Sequence, residues 1–470
     1  MIRMLYILIA LNHAAQGDAR AQDRPFSEEQ RRVWNRQYDR QMIRGKNTTV
    51  TDEALLFVTV PEDMDLGWMG DVDVAETPPE IEFMPVSGMT PEYFPRDEIG
   101  YWSNFGDITE GPNGRFYFAI GDHRGRDGNA YIYEYDPAKR MIGPVVDCGR
   151  LCGWDTSGVG DGKIHGKLGI MPDGQLWGLT YWDPMPWVTE EDERAWPGSH
   201  LVRYDTFSRE AEDMGIPMIK AGWPYFSLDT ERGNLCAIGF NGEVLNYNVK
   251  KREITFAGFP PDNIHWYIRC MMLDPTTGVF WSCTKDAPIR FISFDPATNE
   301  FRLHDETLPE DLGRNAGKAS HIRAHTERRS QDGSIWVVSE YGTLYRFWPD
   351  DVRAEVVTHL WSDYTYTPRI SMSPDGKYLY YVANTKRTEY RYKPIMQYNT
   401  STNRRKVLAF VADYYWDSYG YRLGSVHGST LSHSGDTFAI MFNGAYLPRD
   451  IEWQDTPALM VVHIPEEEWK

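Results

Sequence analysis

A unit of alternating apolar segments and turns recurs seven times after about residue 105. Each unit has an apolar segment, a turn with Gly, a second apolar segment, a variable loop and a third segment that ends in Tyr-Asp-Pro or a similar tripeptide. The turns are Pro112-Asn113-Gly114, Pro172-Asp173-Gly174, Glu231-Arg232-Gly233, Thr276-Thr277-Gly278, Gln331-Asp332-Gly333, Pro374-Asp375-Gly376 and Ser434-Gly435-Asp436. Turns of this kind between apolar segments are typical of β-hairpins. Each unit is therefore predicted to be a small antiparallel sheet.

Seven such units, each of four short strands, predict a seven-bladed β-propeller. One unit of about 40 to 60 residues cannot bury both faces of its own sheet, so the units must stack in a ring. We expect an all-β fold, a seven-bladed β-propeller over residues 51–470. The apolar stretch 54–60 is predicted to be the strand that completes the last blade, and residues 61–100 a long excursion.

The N-terminus has the pattern of a secretory signal peptide over residues 1–21. Arg3 gives a basic start, an apolar core follows, and Ala19-Arg20-Ala21 forms a cleavage site of the A-x-A type. Residues 22–50 are predicted to be a short N-terminal helical extension, because Ser27-Glu28-Glu29-Gln30 has the arrangement of a capping box. We therefore expect a secreted or periplasmic protein.

The five cysteines allow several interpretations. Cys270 and Cys283 flank a Thr-Thr-Gly turn, and Cys148 and Cys152 lie close together in a Gly-rich loop, so either pair could form a disulfide. Cys236 is expected to be a buried thiol. Zinc ligation by these cysteines and a histidine is also open, although their spacing matches no standard zinc signature.

Charge and topology together predict the kind of ligand. The net charge of −19 argues against general nucleic-acid binding. In a propeller, the loop before each innermost strand and the loop after the second strand open on the same face. That face is predicted to collect His, Arg, Lys, Tyr and Trp with few carboxylates. Because aromatic rings stack on sugars and Arg pairs with carboxylate or sulfate, an acidic polysaccharide fits best.

Cleavage of a uronic-acid polymer by β-elimination needs a group that neutralises the carboxylate, a base for the C5 proton and an acid for the leaving oxygen. His, Tyr and Arg at the predicted mouth meet these needs. Hydrolysis would instead need two carboxylates at a suitable separation. Asp122, Asp183 and Glu340 are the only obvious candidates, so hydrolysis is less favoured.

The Gly162-Lys163-Ile164-His165 segment, the Gly121-Asp122-His123 strand end and the seven units resemble the propeller-type polysaccharide lyases, especially ulvan lyases. Those secreted enzymes cleave a sulfated algal polysaccharide beside its uronic acid. The resemblance covers about residues 100–470. It implies that His123 and His165 are the paired histidines, and that Tyr225, with Tyr181 as the second choice, transfers protons. His123 or Tyr225 would be the base, Tyr225 or Tyr181 the acid, and His165 and Arg269 the carboxylate binders; where the family has an arginine, this chain has Asn241.

The predicted site thus has a catalytic and a substrate-binding set. The catalytic residues are His123, His165, Tyr225 and Tyr181, and the substrate-binding residues are Arg269, Lys167, Tyr267, Asn241, Arg323 and Trp182. The mechanism requires no cofactor, while a bound calcium, zinc or manganese ion stays open. A more distant resemblance to oligogalacturonate lyases would place a metal on His321, His325 and His427.

The expected partner is an anionic polysaccharide, with no nucleic acid and no membrane, and the chain is expected to be a monomer. The alternative function is a non-catalytic propeller that binds glycans or proteins, since a fold alone does not fix a function. A metal-dependent, lactonase-like propeller is a weaker option, because the predicted mouth lacks the necessary carboxylates and asparagines.

Overall fold

A computed structural model shows seven antiparallel sheets arranged as the blades of a β-propeller, which confirms the predicted fold class. The structure describes residues 50–62, 64–67, 70–86, 102–121, 128–154, 159–182, 189–262, 264–313, 316–361, 367, 369–383, 393–445 and 456–469. The predicted signal peptide, all but the last residue of the predicted helical extension, and His123 lie outside the described residues.

The first five blades each contain four strands, which the chain visits in sequence order. Blade one has β4 (Thr109–Glu110), β5 (Phe116–Gly121), β6 (Ala130–Asp136) and β7 (Met141–Asp147). Blade two has β8 (Gly169–Ile170), β9 (Gln175–Leu179), β10 (Leu201–Asp205) and β11 (Ala211–Asp213). Blade three has β12 (Tyr225–Asp229), β13 (Asn234–Ile238), β14 (Val244–Asn248) and β15 (Glu253–Gly258). Blade four has β16 (Met272–Leu273), β17 (Phe280–Cys283), β18 (Arg290–Asp295) and β19 (Glu300–Thr307). Blade five has β20 (Ile322–His325), β21 (Ile335–Ser339), β22 (Thr343–Trp348) and β23 (Arg353–His359).

Blades six and seven each include strands from the N-terminal part of the chain. Blade six has β24 (Ser371–Met372), β25 (Tyr378–Val382), β26 (Ile395–Asn399) and β27 (Arg405–Ala409), with β2 (Val72–Val74) parallel to β27. Blade seven has β28 (Arg422–Leu431), β29 (Thr437–Ala445) and β30 (Thr456–His463), followed by β3 (Glu80–Pro85) and β1 (Val50–Asp52). The helices are α1 (Cys148–Leu151), α2 (Glu190–Ala195) and α3 (Ala412–Tyr419), and Leu55–Val58 and Glu466–Glu468 are 3-10 turns.

The seven predicted turns join the first and second strands of the seven blades. Their glycines all have positive φ, from 71° at Gly114 to 87° at Gly174. A left-handed backbone of this kind favours Gly, because a Cβ atom would be strained there. The repeated Gly therefore marks a conformational requirement of every blade.

The closing strand differs from the prediction. Glu80–Pro85, from the predicted excursion, lies between β30 and β1 and completes blade seven, with Phe83 opposite Met460. The predicted strand at 54–60 is wrong, because its centre is a 3-10 turn with Leu55 73% and Leu56 62% exposed. Glu80–Pro85 is buried at every residue except Glu80, which is partly exposed. Its buried acidic side chain, Glu82, accepts hydrogen bonds from Tyr135 and His463.

The apolar core lies between neighbouring blades. Phe118 and Ile120 of blade one, for example, pack with Met441 and Leu459 of blade seven. The five cysteines are free thiols, so neither suggested disulfide is present, and Cys236 is buried as predicted. None of the helices in the described part of the chain has the length and hydrophobicity needed to span a membrane.

Candidate functional site

In a blade, the residues that precede the innermost strand lie beside the residues at the end of the second strand. Lys163 pairs with Tyr181 as an isolated bridge, and Ser103 pairs with Gly121 in the same way. These bridges extend blades two and one toward a single face. The prediction that the two sets of loops open together is therefore confirmed at these blades.

A group of basic and aromatic side chains, here named the central cluster, forms where the innermost strands begin. Its members are Lys163 and His165 (blade two), Tyr225 (blade three), Arg269 (blade four), Arg323 (blade five), Arg369 (blade six) and His427 (blade seven). Six consecutive blades thus contribute to it. All of these residues are buried except Arg269 and His427, which are half-buried. The predicted residues His165, Tyr225, Arg269 and Arg323 belong to this one group.

His165 lies among aromatic rings and cations. Its ring is parallel to that of Phe105, with centroids 6.4 Å apart, and perpendicular to that of Tyr181 at 5.9 Å. The Lys163 ammonium lies 4.4 Å from the Phe105 ring centre. Nδ1 of His165 is buried and has no hydrogen-bond partner among the described residues. Burial and the charge of Lys163 hold the pKa of His165 well below its usual value, so the imidazole is neutral.

His427 has a similar environment, also beside Phe105. Its ring centroid is 4.9 Å from that of Phe105. Burial first, and then the charges of Arg323 and Arg269, keep the pKa of His427 well below its usual value. The two histidines are therefore neutral bases held in a positive potential.

Tyr225 and Asp107 both lie close to Arg369. The Arg369 guanidinium carbon is 5.5 Å from the Tyr225 ring centre, and Arg369 Nε is 2.6 Å from Asp107 Oδ2. The other carboxylate oxygen of Asp107 accepts hydrogen bonds from the backbone N–H groups of Ile108 and Ser429, both at 2.9 Å. Burial raises the pKa of Tyr225 to about 12, although Arg369 opposes the rise. The Tyr225 hydroxyl is thus protonated near neutral pH, beside a cation that would stabilise its phenolate.

Tyr267, His321 and Glu340 form a second charged group, which interacts electrostatically with Arg323 of the central cluster. The rings of Tyr267 and His321 stack with centroids 4.1 Å apart, and the Tyr267 hydroxyl donates to Glu340. His321 Nδ1 donates to Glu340 Oε2 at 3.2 Å, and its Nε2 donates to the carbonyl of Lys285 at 2.8 Å. An imidazole that donates from both nitrogens is protonated. Accordingly, burial would lower the pKa of His321, but Glu340 outweighs it and raises that pKa.

The other predicted residues have different positions. Lys167 forms an ion pair with Glu327, and 63% of the Glu327 side chain is exposed, so solvent reaches the pair. Asn241 lies in an exposed turn, where its amide donates to Glu243 at 2.7 Å. Trp182 is buried and stacks on Trp196 with centroids 5.4 Å apart. Neither Asn241 nor Trp182 therefore lies in the central cluster.

The suggested metal ligands His321, His325 and His427 do not come together. Two groups in the described part of the chain have His, Cys or carboxylate ligand atoms within 4.8 Å of one another, and neither contains these histidines. His321 is held by Glu340, His325 Nδ1 donates to the carbonyl of Thr326 at 3.1 Å, and His427 faces arginines. The two groups are Cys152 with His200 and Asp213, and Glu80 with Glu82 and His463.

Phe105 and Asp107 are part of this environment but were not predicted. The sequence contained a signal for them. Phe105-Gly106-Asp107 stands at the same distance before the turn glycine Gly114 as His165-Gly166-Lys167 stands before Gly174. Equivalent positions in successive blades point to the same channel.

No protein-family model matches this chain, and no curated protein matches its sequence.

Proposed function

We propose that this protein is a secreted polysaccharide lyase that cleaves a uronic-acid-containing, sulfated polysaccharide of the ulvan type by β-elimination. The observation that carries the proposal is the central cluster, in which neutral His165 and His427 and protonated Tyr225 lie among Lys163, Arg269, Arg323 and Arg369. Neutral bases, a hydroxyl acid and fixed cations are the groups that this reaction needs.

The sign of the potential supports an anionic ligand. The charges of Lys163, Arg269 and Arg323 all lower the pKa of His165, so the histidine lies in a positive field inside a chain of net charge −19. The negative charge of a uronate carboxylate bound here would offset the positive charges of these side chains. Arg is suited to the task because its planar guanidinium can pair with a carboxylate or sulfate through two hydrogen bonds.

The proton transfers follow from the protonation states. In the proposed reaction, Arg269 and Arg323 neutralise the carboxylate, and the neutral imidazole of His165 takes the C5 proton. The electron pair forms the C4–C5 double bond, the C4–O bond breaks, and Tyr225 gives its proton to the leaving oxygen. Arg369 stabilises the phenolate until the proton returns. His165 is preferred here as the base, rather than as a carboxylate binder, because its imidazole is neutral and Nδ1 has no described hydrogen-bond partner.

The second candidate is a non-catalytic propeller that binds glycans or proteins. Charge compensation within the fold favours it, because Lys167 pairs with Glu327, Arg369 with Asp107 and His321 with Glu340. Such pairs also occur in structural charge networks that perform no chemistry.

Mass spectrometry of the products separates these functions. The protein would be incubated with ulvan, polygalacturonate, glucuronan, alginate and glycosaminoglycans. A lyase yields a fragment with an unsaturated uronate, lighter by one water than the fragment from hydrolysis. Fragments that all carry the added water would contradict the lyase, and an intact polymer bound to the protein would favour the second candidate.

A further inference from the structure

We propose that Cys152, His200 and Asp213 form a zinc site between the connector that follows blade one and the outer strands of blade two. Cys152 directly follows α1, His200 precedes β10 and Asp213 ends β11. This inference does not depend on the proposed function, because none of the three residues belongs to the central cluster.

The geometry is close to that of a metal site. One ligand atom from each residue lies within 4.8 Å of the other two, and His200 Nδ1 is 2.9 Å from Asp213 Oδ1. Zn–N and Zn–O bonds of about 2.0 Å and Zn–S bonds of about 2.3 Å place the ligand atoms of a tetrahedral zinc about 3.3 to 3.8 Å apart. Small side-chain rotations would therefore bring the three atoms around one ion.

Local structure places a second thiol beside the first. The Asp147 carboxylate accepts from the Arg150 N–H at 3.1 Å and caps α1, and the Cys152 N–H donates to the Cys148 carbonyl at 2.8 Å. Residues four apart on a helical turn lie on the same side, so Cys148 is next to Cys152. Rotation of the Cys148 side chain would supply a fourth ligand, and a water molecule is the other occupant of that position.

The surrounding charges favour a cation at Cys152, His200 and Asp213 over the second group, Glu80, Glu82 and His463. In the described part of the chain, no Lys or Arg side chain forms an ion pair with Asp213, whose carboxylate accepts from His200 and from the Gly215 N–H at 2.8 Å. In the second group, Arg140 already neutralises Glu80, with Nη2 2.8 Å from the carboxylate, and Arg140 Nε is 3.6 Å from Glu82. A mixed thiolate, imidazole and carboxylate set is typical of zinc rather than of calcium or magnesium.

The zinc would stabilise the segment that leads to the central cluster. After Cys152 the connector reaches Asp161, which accepts hydrogen bonds from Thr180 Oγ1 at 2.5 Å and from Trp196 Nε1 at 2.8 Å. Lys163 and His165 follow directly. A metal that fixes the start of this connector to blade two would limit the movement of both residues.

The test uses the full-length chain, stripped with a chelator, dialysed against zinc chloride and exchanged into zinc-free buffer. Elemental analysis is expected to find about one zinc per chain, as in a single tetrahedral site. Cys152→Ser and Asp213→Asn are expected to lose the ion, whereas Cys236→Ser, at a buried thiol in β13, retains it. Cobalt in place of zinc is expected to give a thiolate charge-transfer band that Cys152→Ser abolishes.

A second measurement covers variants that fail to fold. Zinc added to the wild-type apoprotein is expected to protect Cys152, but not Cys236, from alkylation during partial unfolding, as mapped by peptide mass spectrometry. Wild-type protein that retains no zinc, equal zinc in wild type and Cys152→Ser, or equal alkylation of Cys152 with and without zinc chloride would overturn the proposal.

Discussion

Arg369 Nε lies 2.6 Å from Asp107 Oδ2, and this ion pair joins blade six to blade one past the intervening blade seven. The same guanidinium lies 5.5 Å from the ring centre of Tyr225 on blade three, on the far side of the channel. Arg369 therefore links blades that share no strand pairing. Both charged side chains are almost completely buried, at 9% and 5% exposure.

Removal of one member of this pair should be costly. Asp107→Ala leaves the buried Arg369 cation without its carboxylate and two backbone N–H groups without an acceptor. We expect a loss of about 3 to 5 kcal/mol in the free energy of unfolding, measured by denaturant titration. Asp73→Ala, which removes the exposed pair with Arg404, is the control and should cost at most about 1 kcal/mol. Equal effects would show that the buried pair does not stabilise the fold.

The ring closure gives a second stability prediction. Phe83 is fully buried in the strand that completes blade seven, so Phe83→Ala should cost about 3 to 5 kcal/mol in the free energy of unfolding. Leu56→Ala, in the stretch first predicted to close the ring, should change stability by less than about 0.5 kcal/mol, because Leu56 is 62% exposed. The reverse order would indicate that 54–60 closes the propeller.

The central histidines should make stability depend on pH. The pKa values of His165 and His427 are lowered in the folded protein, so the unfolded chain binds more protons below its ordinary histidine pKa. Their contribution is complete above about pH 6.5, begins to be lost as the pH falls below that value, and is fully lost only below the lowered pKa values of the folded protein. Replacement of His165 by Gln should therefore reduce the loss of unfolding free energy between about pH 7 and about pH 5. His265→Gln, at an exposed histidine, is the control, and an unchanged slope in His165→Gln would contradict the neutral imidazole.

Glu340 should control the titration of His321. His321 donates to Glu340 at 3.2 Å, and this carboxylate raises the pKa of His321 against the effect of burial. Glu340→Gln should lower that pKa below the usual histidine value, measured from the imidazole proton shifts by NMR. Glu327→Gln, which removes the partner of Lys167, should leave the His321 titration unchanged. A His321 titration unaltered by Glu340→Gln would exclude the charged pair.

The fold was largely predictable because its determinants are local and repeated. Each blade contains a turn glycine with positive φ, and the order of turn and apolar segment marks each blade in the sequence. The closing strand could not be found in this way. In sequence, the apolar run 54–60 resembles a buried strand more than Glu80–Pro85 does, because Glu82 puts a charge at a position that a buried strand would fill with an apolar residue. Only the folded structure shows that Tyr135 and His463 donate hydrogen bonds to this buried carboxylate.

The site was only partly predictable because its charges are compensated by residues far apart in the chain. Sequence reasoning placed His165, Tyr225, Arg269 and Arg323 on one face, as the structure does. It could not show that Glu327 pairs with Lys167 or that Glu340 holds Tyr267, since those contacts depend on blade-to-blade geometry. Asn241 also follows the end of a second strand, but its amide donates a hydrogen bond to Glu243 within the same turn.

The most direct test of the proposed reaction is the ultraviolet absorbance of unsaturated uronate during incubation with the panel of acidic polysaccharides. The account predicts a steady rise with the wild type, a loss of about 100-fold or more in rate for His165→Ala and for Tyr225→Phe, and no change for His433→Ala. His433 is the matched control because its side chain is 73% exposed, in the turn between β28 and β29. No rise with any polymer, or an undiminished rise in both site variants, would contradict the assignment of lyase chemistry to the central cluster.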